Sequence, residues 1–317
     1  MKKTGVVLLN MGGPDSLDAV EPFLYNLFSD HDIIRIPRII QKPVARIIAK
    51  IRSKKTRHYY EIMGGKSPQK DQTLQQAHEL QKALGDNFKV VVAMRYWHPF
   101  TEEALEELFS EEIERILLLP LYPQFSKTTT GSSFNEFERV YKRSRFPEVR
   151  VIKIKDFHDH PMYIEALVKK IRETVEDPKD FHFLFSAHSL PLYVIKEGDP
   201  YQKQTEKTVR LVMDHFPGVP HTLAYQSKVG PVEWLKPMTE EVIKDLASRG
   251  VKNLCVIPVS FVCEHSETLY ELDHQHGNLA IKLGIENYLR VPTLQSDTLF
   301  IEALRDVVLK ELEKHES

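Results

Sequence analysis

The stretch Phe183-Leu184-Phe185-Ser186-Ala187-His188-Ser189-Leu190-Pro191 runs from an apolar segment into a polar turn. Later in the chain, the apolar run 254–262 leads in a similar way to Glu264-His265-Ser266-Glu267. Both stretches place ionisable side chains where a predicted buried strand ends. In open α/β sheets, ligands bind at the carboxyl ends of the strands. The two stretches therefore predict an α/β fold with a site for proton transfer, transient metal handling or both.

Short apolar runs alternate with segments of helical spacing along the whole chain. Because the runs are continuous rather than alternating, they indicate strands buried on both faces, in parallel sheets covered by helices. The predicted strands are Thr4–Asn10, Lys89–Met94, Arg115–Leu121, Val149–Ile154, Phe181–Ala187, Thr222–Gln226, Leu254–Phe261 and Glu286–Val291. The predicted helices are Leu17–Phe28, Gln69–Leu84, Glu102–Phe109, Ser133–Ser144, Pro161–Val175, Gln202–Phe216, Met238–Ser248, Glu267–Leu283 and Asp297–His315.

The two halves of the chain resemble each other. Three pairs of segments align in the same order, and their spacing indicates that the first half carries an insertion between Pro14 and Ala93. In this alignment Met11 takes the place of His188. The aligned pairs are Leu9–Pro14 with Ser186–Pro191, Val92–Met94 with Leu223–Tyr225, and Leu118–Leu121 with Val256–Val259.

Composition excludes several classes of protein. The 317 residues are 42% hydrophobic and 28% charged, with a net charge of −2, so nucleic acid is not expected as a partner. A nucleotide is not expected either, because the glycine-rich segments match no dinucleotide or P-loop pattern. The two cysteines, Cys255 and Cys263, cannot form a four-thiolate cluster. Without an apolar run long enough for export or for a membrane span, the expected location is cytoplasmic.

The inserted segment is unusually basic. From Arg35 to Arg57 there are nine Lys or Arg residues and no acid, with isoleucines at helical spacing. One interpretation is a helix packed on its own domain with a solvated basic face. The other is an amphipathic element that contacts an anionic ligand or lies peripherally on the inner face of an anionic membrane. Pro43 restricts where such a helix can start.

The strand-end residues suggest a proton-handling site. His188 follows a buried strand, and Glu264, Glu267 and Glu271 would share a helix face next to His265. Crowded carboxylates raise one another's pKa, which suits proton exchange or capture of a divalent cation. The glycines fit no dinucleotide or P-loop pattern, and Ser189 lacks the flanking glycines of a nucleophile elbow.

Seven motifs resemble those of the ferrochelatase family, in order and over nearly the full length of the chain. They are Leu8-Leu9-Asn10-Met11-Gly12-Gly13-Pro14, Arg95-Tyr96-Trp97-His98-Pro99, Tyr122-Pro123-Gln124-Phe125-Ser126, Thr129-Thr130-Gly131-Ser132-Ser133, Ser186-Ala187-His188-Ser189-Leu190-Pro191, Tyr225-Gln226-Ser227-Lys228-Val229-Gly230-Pro231 and Glu264-His265-Ser266-Glu267-Thr268-Leu269.

The resemblance implies two similar Rossmann-like domains, each a four-stranded parallel sheet flanked by helices, with the active-site cleft between them. The expected ranges are 1–156 for the first domain, with a lip insertion at about 30–67, and 157–296 for the second. Residues 297–317 are expected to form a helix that packs back on the first domain. The implied activity is insertion of Fe²⁺ into a porphyrin with release of two protons, the last step of haem biosynthesis.

The resemblance also implies roles for individual residues. His188 and Glu267 would be catalytic and would contact the metal, supported by His265 and Glu271. The porphyrin would be bound by Met11, Arg52, Tyr60, Ser67, Arg95, Tyr96, Tyr122, Ser227, Lys228 and Trp234. No iron–sulfur cluster is expected, since the loop at Lys127 lacks the family's cysteine and the chain stops at Ser317 without a cysteine-bearing extension.

Met11 favours protoporphyrin IX as the substrate, because family members that use coproporphyrin III tend to have Tyr there. A coproporphyrin III ferrochelatase is therefore the nearest alternative. A two-domain protein that carries metal or tetrapyrrole without chemistry, and a sugar-nucleotide transferase, are the alternatives from other classes.

Overall fold

The computed structural model describes residues 2–316, with Glu316 described by its backbone alone. Residues 1 and 317, which begin and end the predicted domain ranges, lie outside the described residues. The chain divides into two compact units. Unit 1 comprises Met1–Asp156 with Ile301–Ser317, and unit 2 comprises Phe157–Phe300.

Unit 1 is built on a four-stranded parallel sheet. Its strands are β1 (Lys3–Asn10), β2 (Phe88–Met94), β3 (Ile113–Pro120) and β4 (Arg150–Lys153), in the order β2-β1-β3-β4. The side chains of β1 are buried from Thr4 to its end, which explains the continuous apolar run in its sequence. The helices of unit 1 are α1 (Val20–Phe28), α2 (Arg38–Ile62), α3 (Gln69–Leu84), α4 (Thr101–Leu108) and α5 (Ser132–Tyr141), with a π-helical turn at Lys127–Gly131.

Unit 2 repeats this plan. Its strands are β5 (His182–His188), β6 (His221–Gln226), β7 (Asn253–Pro258) and β8 (Asn287–Arg290), in the order β6-β5-β7-β8. Its helices are α6 (Pro161–Thr174), α7 (Leu192–Lys196), α8 (Tyr201–Met213), α9 (Thr239–Ser248) and α10 (Gly277–Lys282), with a 3₁₀ turn at Pro178–Asp180 and a π-helix at Ser266–His276. Helix α11 (Thr298–Glu316) follows, and from Ile301 onward it belongs to unit 1.

The strand registers give the same correspondence between the halves as the sequence alignment. In unit 1, Leu9 of β1 pairs with Ala93 and Pro120. In unit 2, Ser186 of β5 pairs with Ala224 and Pro258. These are the residues that the three sequence alignments match. The ends of β1 and β5, and hence Met11 and His188, therefore hold equivalent positions.

Helix α2 contains most of the basic insertion, and the structure shows where it starts and which of its residues are buried. It begins at Arg38, so that Pro43 lies inside it rather than at its start. Ala45 and Ala49 are buried, and because their side chains are small, α2 can approach α1 closely. Most of the isoleucines point outward, with Ile39 89% exposed and Ile51 72% exposed, whereas Ile48 packs against the cluster.

Two elements near the stretch Glu264–Glu267 differ in extent from the prediction. Strand β7 stops at Pro258 rather than Phe261, and the segment predicted as one helix from Glu267 is the π-helix followed by α10. A π-helical segment often marks a functional site, because it re-aims the side chains that it carries. Over the described residues 2–316, no helix is both long enough and apolar enough to cross a membrane.

Candidate active site

His188 is the last residue of β5, and its backbone is held on both sides. Its N–H donates to Oγ of Ser260 at 3.0 Å, and its carbonyl accepts from the hydroxyl of Tyr201 at 2.8 Å. Burial raises the pKa of the Tyr201 phenol, which keeps it protonated as a donor. The parallel sheet buries the preceding residues Phe183–Ala187, so the first side chain that can reach a ligand is the imidazole.

Glu267, in the first turn of the π-helix, faces this imidazole. Its Oε2 lies 2.9 Å from Nδ1 of His188. With Nδ1 engaged by a carboxylate, Nε2 is the ring nitrogen available to a substrate. The exposed fraction is 31% for the His188 side chain and 19% for that of Glu267, so the pair is accessible from outside.

His265 caps the π-helix. Its Nδ1 accepts a hydrogen bond from the backbone N–H of Glu267 at 3.1 Å, which places its own proton on Nε2. Burial lowers the pKa of His265, so the ring stays neutral, as this bond requires. His265 therefore supports the site by fixing the backbone of Glu267.

Glu271 lies four residues after Glu267, at the same side of the π-helix. Its Oε2 accepts from Oγ of Ser227 at 2.5 Å and from Nε2 of Gln226 at 3.2 Å. Gln226 also donates to the backbone carbonyl of Glu267 at 2.9 Å. Ser227 has a φ of 68°, an uncommon value for a residue with a side chain, at the point where β6 ends.

The three ionisable groups shift one another's pKa. Burial alone would lower the pKa of His188, but the charge and hydrogen bond of Glu267, helped by Glu271, raise it. Burial alone would raise the pKa of Glu267, but the His188 imidazolium holds it well below its usual range. Burial and then the charge of Glu267 raise the pKa of Glu271. Environments that separate the pKa values of neighbouring carboxyls are typical of acid–base sites.

Glu264 does not join this group, which corrects the expectation of three acids on one face. Its Oε1 lies 2.7 Å from Nη1 of Arg290 and accepts the N–H of Thr293 at 2.9 Å. The π-helix begins at Ser266, so Glu264 precedes it and is free to turn toward β8. Its contacts are those of a structural ion pair.

In unit 1, Arg95 and Tyr96 directly follow β2. Their equivalents in unit 2 are Gln226, the last residue of β6, and Ser227, which follows it. Nη2 of Arg95 lies 2.9 Å from Oδ2 of Asp30, and the Tyr96 hydroxyl donates to the same oxygen at 2.7 Å. Nε of Arg95 donates to Oγ of Ser132 at 2.8 Å. This cluster pairs its buried carboxylate with an arginine, whereas the position equivalent to Arg95 in the cluster around Glu271 is the neutral Gln226.

Met11 leaves β1 beside these residues. Its carbonyl accepts the N–H of Tyr96 at 2.9 Å, and its side chain packs on the apolar cluster that contains Tyr60. The following glycines permit a close approach: Gly12 has a φ of 82°, and a Cβ on Gly13 would lie 2.5 Å from Oγ of Ser67.

The remaining predicted binding residues are distributed over both units. In unit 1, the Arg52 guanidinium lies 5.6 Å from the centre of the Phe28 ring, and the Tyr122 hydroxyl lies 3.5 Å from Oγ of Ser133. In unit 2, Lys228 is exposed, and the backbone of Trp234 forms a β-bridge with Pro191, the last residue of the His188 motif.

Gln226, Ser260 and Asp30 contribute to these sites and were not predicted. Gln226 and Ser260 stand at strand ends within segments already singled out, so their position was the available signal. Asp30 lies in a loop of the insertion without periodicity, and the sequence gives no signal for it.

The chain has two α/β units of the same topology, each with a parallel sheet, and an imidazole and two carboxylates at one strand end. These features are those of a metal chelatase. The ferrochelatase family model matches residues 3–312. The chain belongs to the ferrochelatase family, whose members act on a porphyrin and a metal ion.

Curated ferrochelatases align with this chain over nearly their full length. The chain is 61% identical to a ferrochelatase of Sulfurihydrogenibium sp. (strain YO3AOP1), covering 98% of both chains. It is also 61% identical to a ferrochelatase of Aquifex aeolicus (strain VF5), covering 98% of this chain and 100% of the relative. Among solved structures, SirB from Bacillus subtilis with Fe³⁺ has the same fold, at a TM-score of 0.59 and 12% identity, covering 99% of this chain and 97% of SirB.

Proposed function

We propose that this enzyme inserts Fe²⁺ into protoporphyrin IX with release of two protons, the last step of haem biosynthesis. The observation that supports it best is the cluster of His188, Glu267 and Glu271, where an imidazole and two carboxylates of separated pKa meet at one strand end. Imidazole and carboxylate are ligands that suit Fe²⁺, and both also accept protons.

The reaction requires these two abilities together. A free-base porphyrin carries protons on two of its four inner nitrogens, so each metallation must remove two protons as the ring takes up the metal. His188 presents Nε2 to the ring, while Glu267 holds the imidazole through Nδ1. Glu271, whose pKa burial raises, is the second group of the cluster that exchanges a proton near neutral pH.

Two features of unit 1 support protoporphyrin IX as the substrate. Met11, at the position equivalent to His188, resembles the residue of members that use protoporphyrin. The outward isoleucines of α2 add an apolar surface, with Ile47 59% exposed, that suits a substrate with apolar side chains. Coproporphyrin III, which carries more carboxylates, is the alternative that the basic residues of α2 favour.

Steady-state metallation with each porphyrin tests the proposal. Zn²⁺ or Fe²⁺ is supplied with protoporphyrin IX or coproporphyrin III, and the metalloporphyrin spectrum is followed over many turnovers. A higher kcat/KM for protoporphyrin supports the proposal, and a higher value for coproporphyrin contradicts it. A carrier without chemistry would give at most one equivalent of product.

We further propose that the enzyme works without an iron–sulfur cluster and contacts an anionic membrane through α2. The chain has two cysteines, Cys255 and Cys263, and both are buried. Burial raises the pKa of the Cys255 thiol to about 12, which disfavours the thiolate that a cluster needs. The membrane contact rests on the basic residues of α2 that flank its outward isoleucines.

A further inference from the structure

Asp30 lies in the loop after α1, with a side chain that is 4% exposed. Its Oδ2 accepts from the hydroxyls of Tyr96 and Ser132 and lies 2.9 Å from the Arg95 guanidinium. A buried carboxylate is costly unless cations and hydrogen-bond donors compensate it. Here one oxygen gathers two hydroxyl donors and one cation, so the geometry of all four residues is fixed together.

Asp30 also connects to helix α2. Its backbone carbonyl accepts from Nε2 of Gln41, which lies in the second turn of α2, at 3.4 Å, and the same nitrogen donates to the carbonyl of Phe28 at 2.9 Å. The remaining carboxylate oxygen, Oδ1, accepts the N–H of Asp32 at 2.9 Å. Asp30 thus joins the insertion to the end of β2 and to the start of α5.

From Asp30 the contacts continue to Met11. The Tyr96 phenol bonds to Asp30, and the Tyr96 N–H donates to the carbonyl of Met11 at 2.9 Å. The Arg95 N–H donates to the carbonyl of Asn10 at 2.8 Å. The end of β1, which carries Met11, is therefore held by the two residues that Asp30 orders.

The repeat shows what is particular to unit 1. The registers make Arg95 equivalent to Gln226 and Tyr96 equivalent to Ser227. In unit 2 these residues bond a carboxylate of the π-helix, Glu271, and the residue equivalent to Arg95 is the neutral Gln226. In unit 1 the carboxylate comes from the insertion, and Arg95 neutralises it. The unit 1 cluster is therefore suited to fixing the positions of binding residues rather than to exchanging protons.

We propose that Asp30 is a positioning residue for porphyrin binding, which orders Arg95, Tyr96 and through them Met11, and links them to α2. The inference rests on the proposed function, since it takes these residues as porphyrin contacts. It assigns Asp30 to recognition of the ring and to no step at the metal, because the side chain of Asp30 bonds to Arg95, Tyr96 and Ser132.

The variant Asp30→Asn tests this role, with Asp32→Asn as a matched control. Asp32 lies two residues further along the loop, accepts from Nδ2 of Asn135 at 2.9 Å and is half-buried. We expect Asp30→Asn to raise the porphyrin Kd by about tenfold. The KM for Zn²⁺ and the pH profile of kcat should stay those of the wild type, and the control should change none of these values.

The readouts separate positioning from general loosening. Porphyrin fluorescence gives Kd, and metalloporphyrin absorbance gives kcat and the KM for Zn²⁺. An unchanged porphyrin Kd in Asp30→Asn, or an equal change in the KM for Zn²⁺, overturns the inference. If Asp30→Asn does not fold, Ser132→Ala decides, since it removes the hydroxyl that donates to Asp30 and accepts from Nε of Arg95, and leaves the Asp30–Arg95 pair. It should raise the Kd by about threefold, and an unchanged Kd overturns the inference.

The proposed function is tested separately by the wild type. Binding is measured with whichever porphyrin the wild-type enzyme metallates. A wild type that prefers coproporphyrin III would contradict the proposed substrate, yet the comparison of Asp30→Asn with Asp32→Asn would still test the positioning role.

Discussion

Nδ1 of His188 and Oε2 of Glu267 lie 2.9 Å apart, although 79 residues separate them in the chain. The contact joins the end of β5 to the first turn of the π-helix, and each group shifts the pKa of the other. Because the acid stabilises the imidazolium, it raises the pKa of His188, and the imidazolium in turn lowers the pKa of Glu267. A protonated His188 must lose its proton before it acts as a base or binds a metal.

The first prediction concerns His188→Ala. We expect metallation to be abolished while the porphyrin Kd stays within about tenfold of the wild type, since loss of a general base affects the transition state more than binding. Absorbance of the metalloporphyrin gives the rate, and porphyrin fluorescence gives the Kd. A variant that retains most of the wild-type kcat contradicts the assignment.

The second prediction compares the two carboxylates of the π-helix. Glu267→Gln removes the charge next to His188 and should reduce kcat by about two orders of magnitude or more, while circular dichroism shows an intact fold. Glu271→Gln should have a smaller effect, because Glu271 bonds to Ser227 and Gln226 rather than to the imidazole. If Glu271 proves essential and Glu267 dispensable, this order is wrong.

The third prediction concerns pH. The raised pKa of His188 means that a proton occupies the imidazole below that pKa, so kcat/KM should rise as pH increases through it. Glu267→Gln removes the charge that raises the pKa of His188, and the midpoint of the remaining activity should move to lower pH. Rates with Zn²⁺ across about pH 6 to 9 span the ordinary imidazole range. A midpoint that does not move, or moves upward, contradicts the pairing.

The fourth prediction concerns the porphyrin. Met11→Tyr should shift the ratio of kcat/KM values toward coproporphyrin III by about tenfold, the size of effect that a change in pocket shape gives. Met162→Tyr is the control, because Met162 is also half-buried but lies in α6 of unit 2. An equal ratio in both variants would mean that Met11 does not select the substrate.

Much of this arrangement could be predicted from the sequence, because buried parallel strands read as apolar runs. The alignment that matches Pro120 with Pro258 indicated the repeat, which the strand registers confirm. His188 and Glu267 stood out as ionisable residues at strand ends. Periodicity shows that the isoleucines of α2 share a face but not which way that face points. Similarly, the spacing of Glu264 could not reveal that Arg290, from β8, draws it away from the π-helix.

The last prediction concerns the outward face of α2. Here Ile39, Ile47 and Ile51 are exposed, and basic residues such as Lys50 flank them. Basic residues near an anionic surface contribute roughly 1 kcal/mol each, decaying over a Debye length, and exposed isoleucines add apolar burial. We therefore expect the protein to sediment reversibly with anionic vesicles, and less of it to do so at high salt. With neutral vesicles we expect little of the protein to sediment.

Charge reversal on α2 should weaken this binding. The variants are Arg46→Glu, Lys50→Glu and Arg52→Glu. Arg52→Glu should also weaken porphyrin binding, because the resemblance to the family assigns Arg52 to the porphyrin. Lys310→Glu is the control, since it makes the same change on α11, outside α2. Equal binding of the wild type to both vesicle types, or binding to neither, would show that α2 serves the substrate only. An equal loss in Lys50→Glu and Lys310→Glu would show that net charge, and not this helix, determines the association.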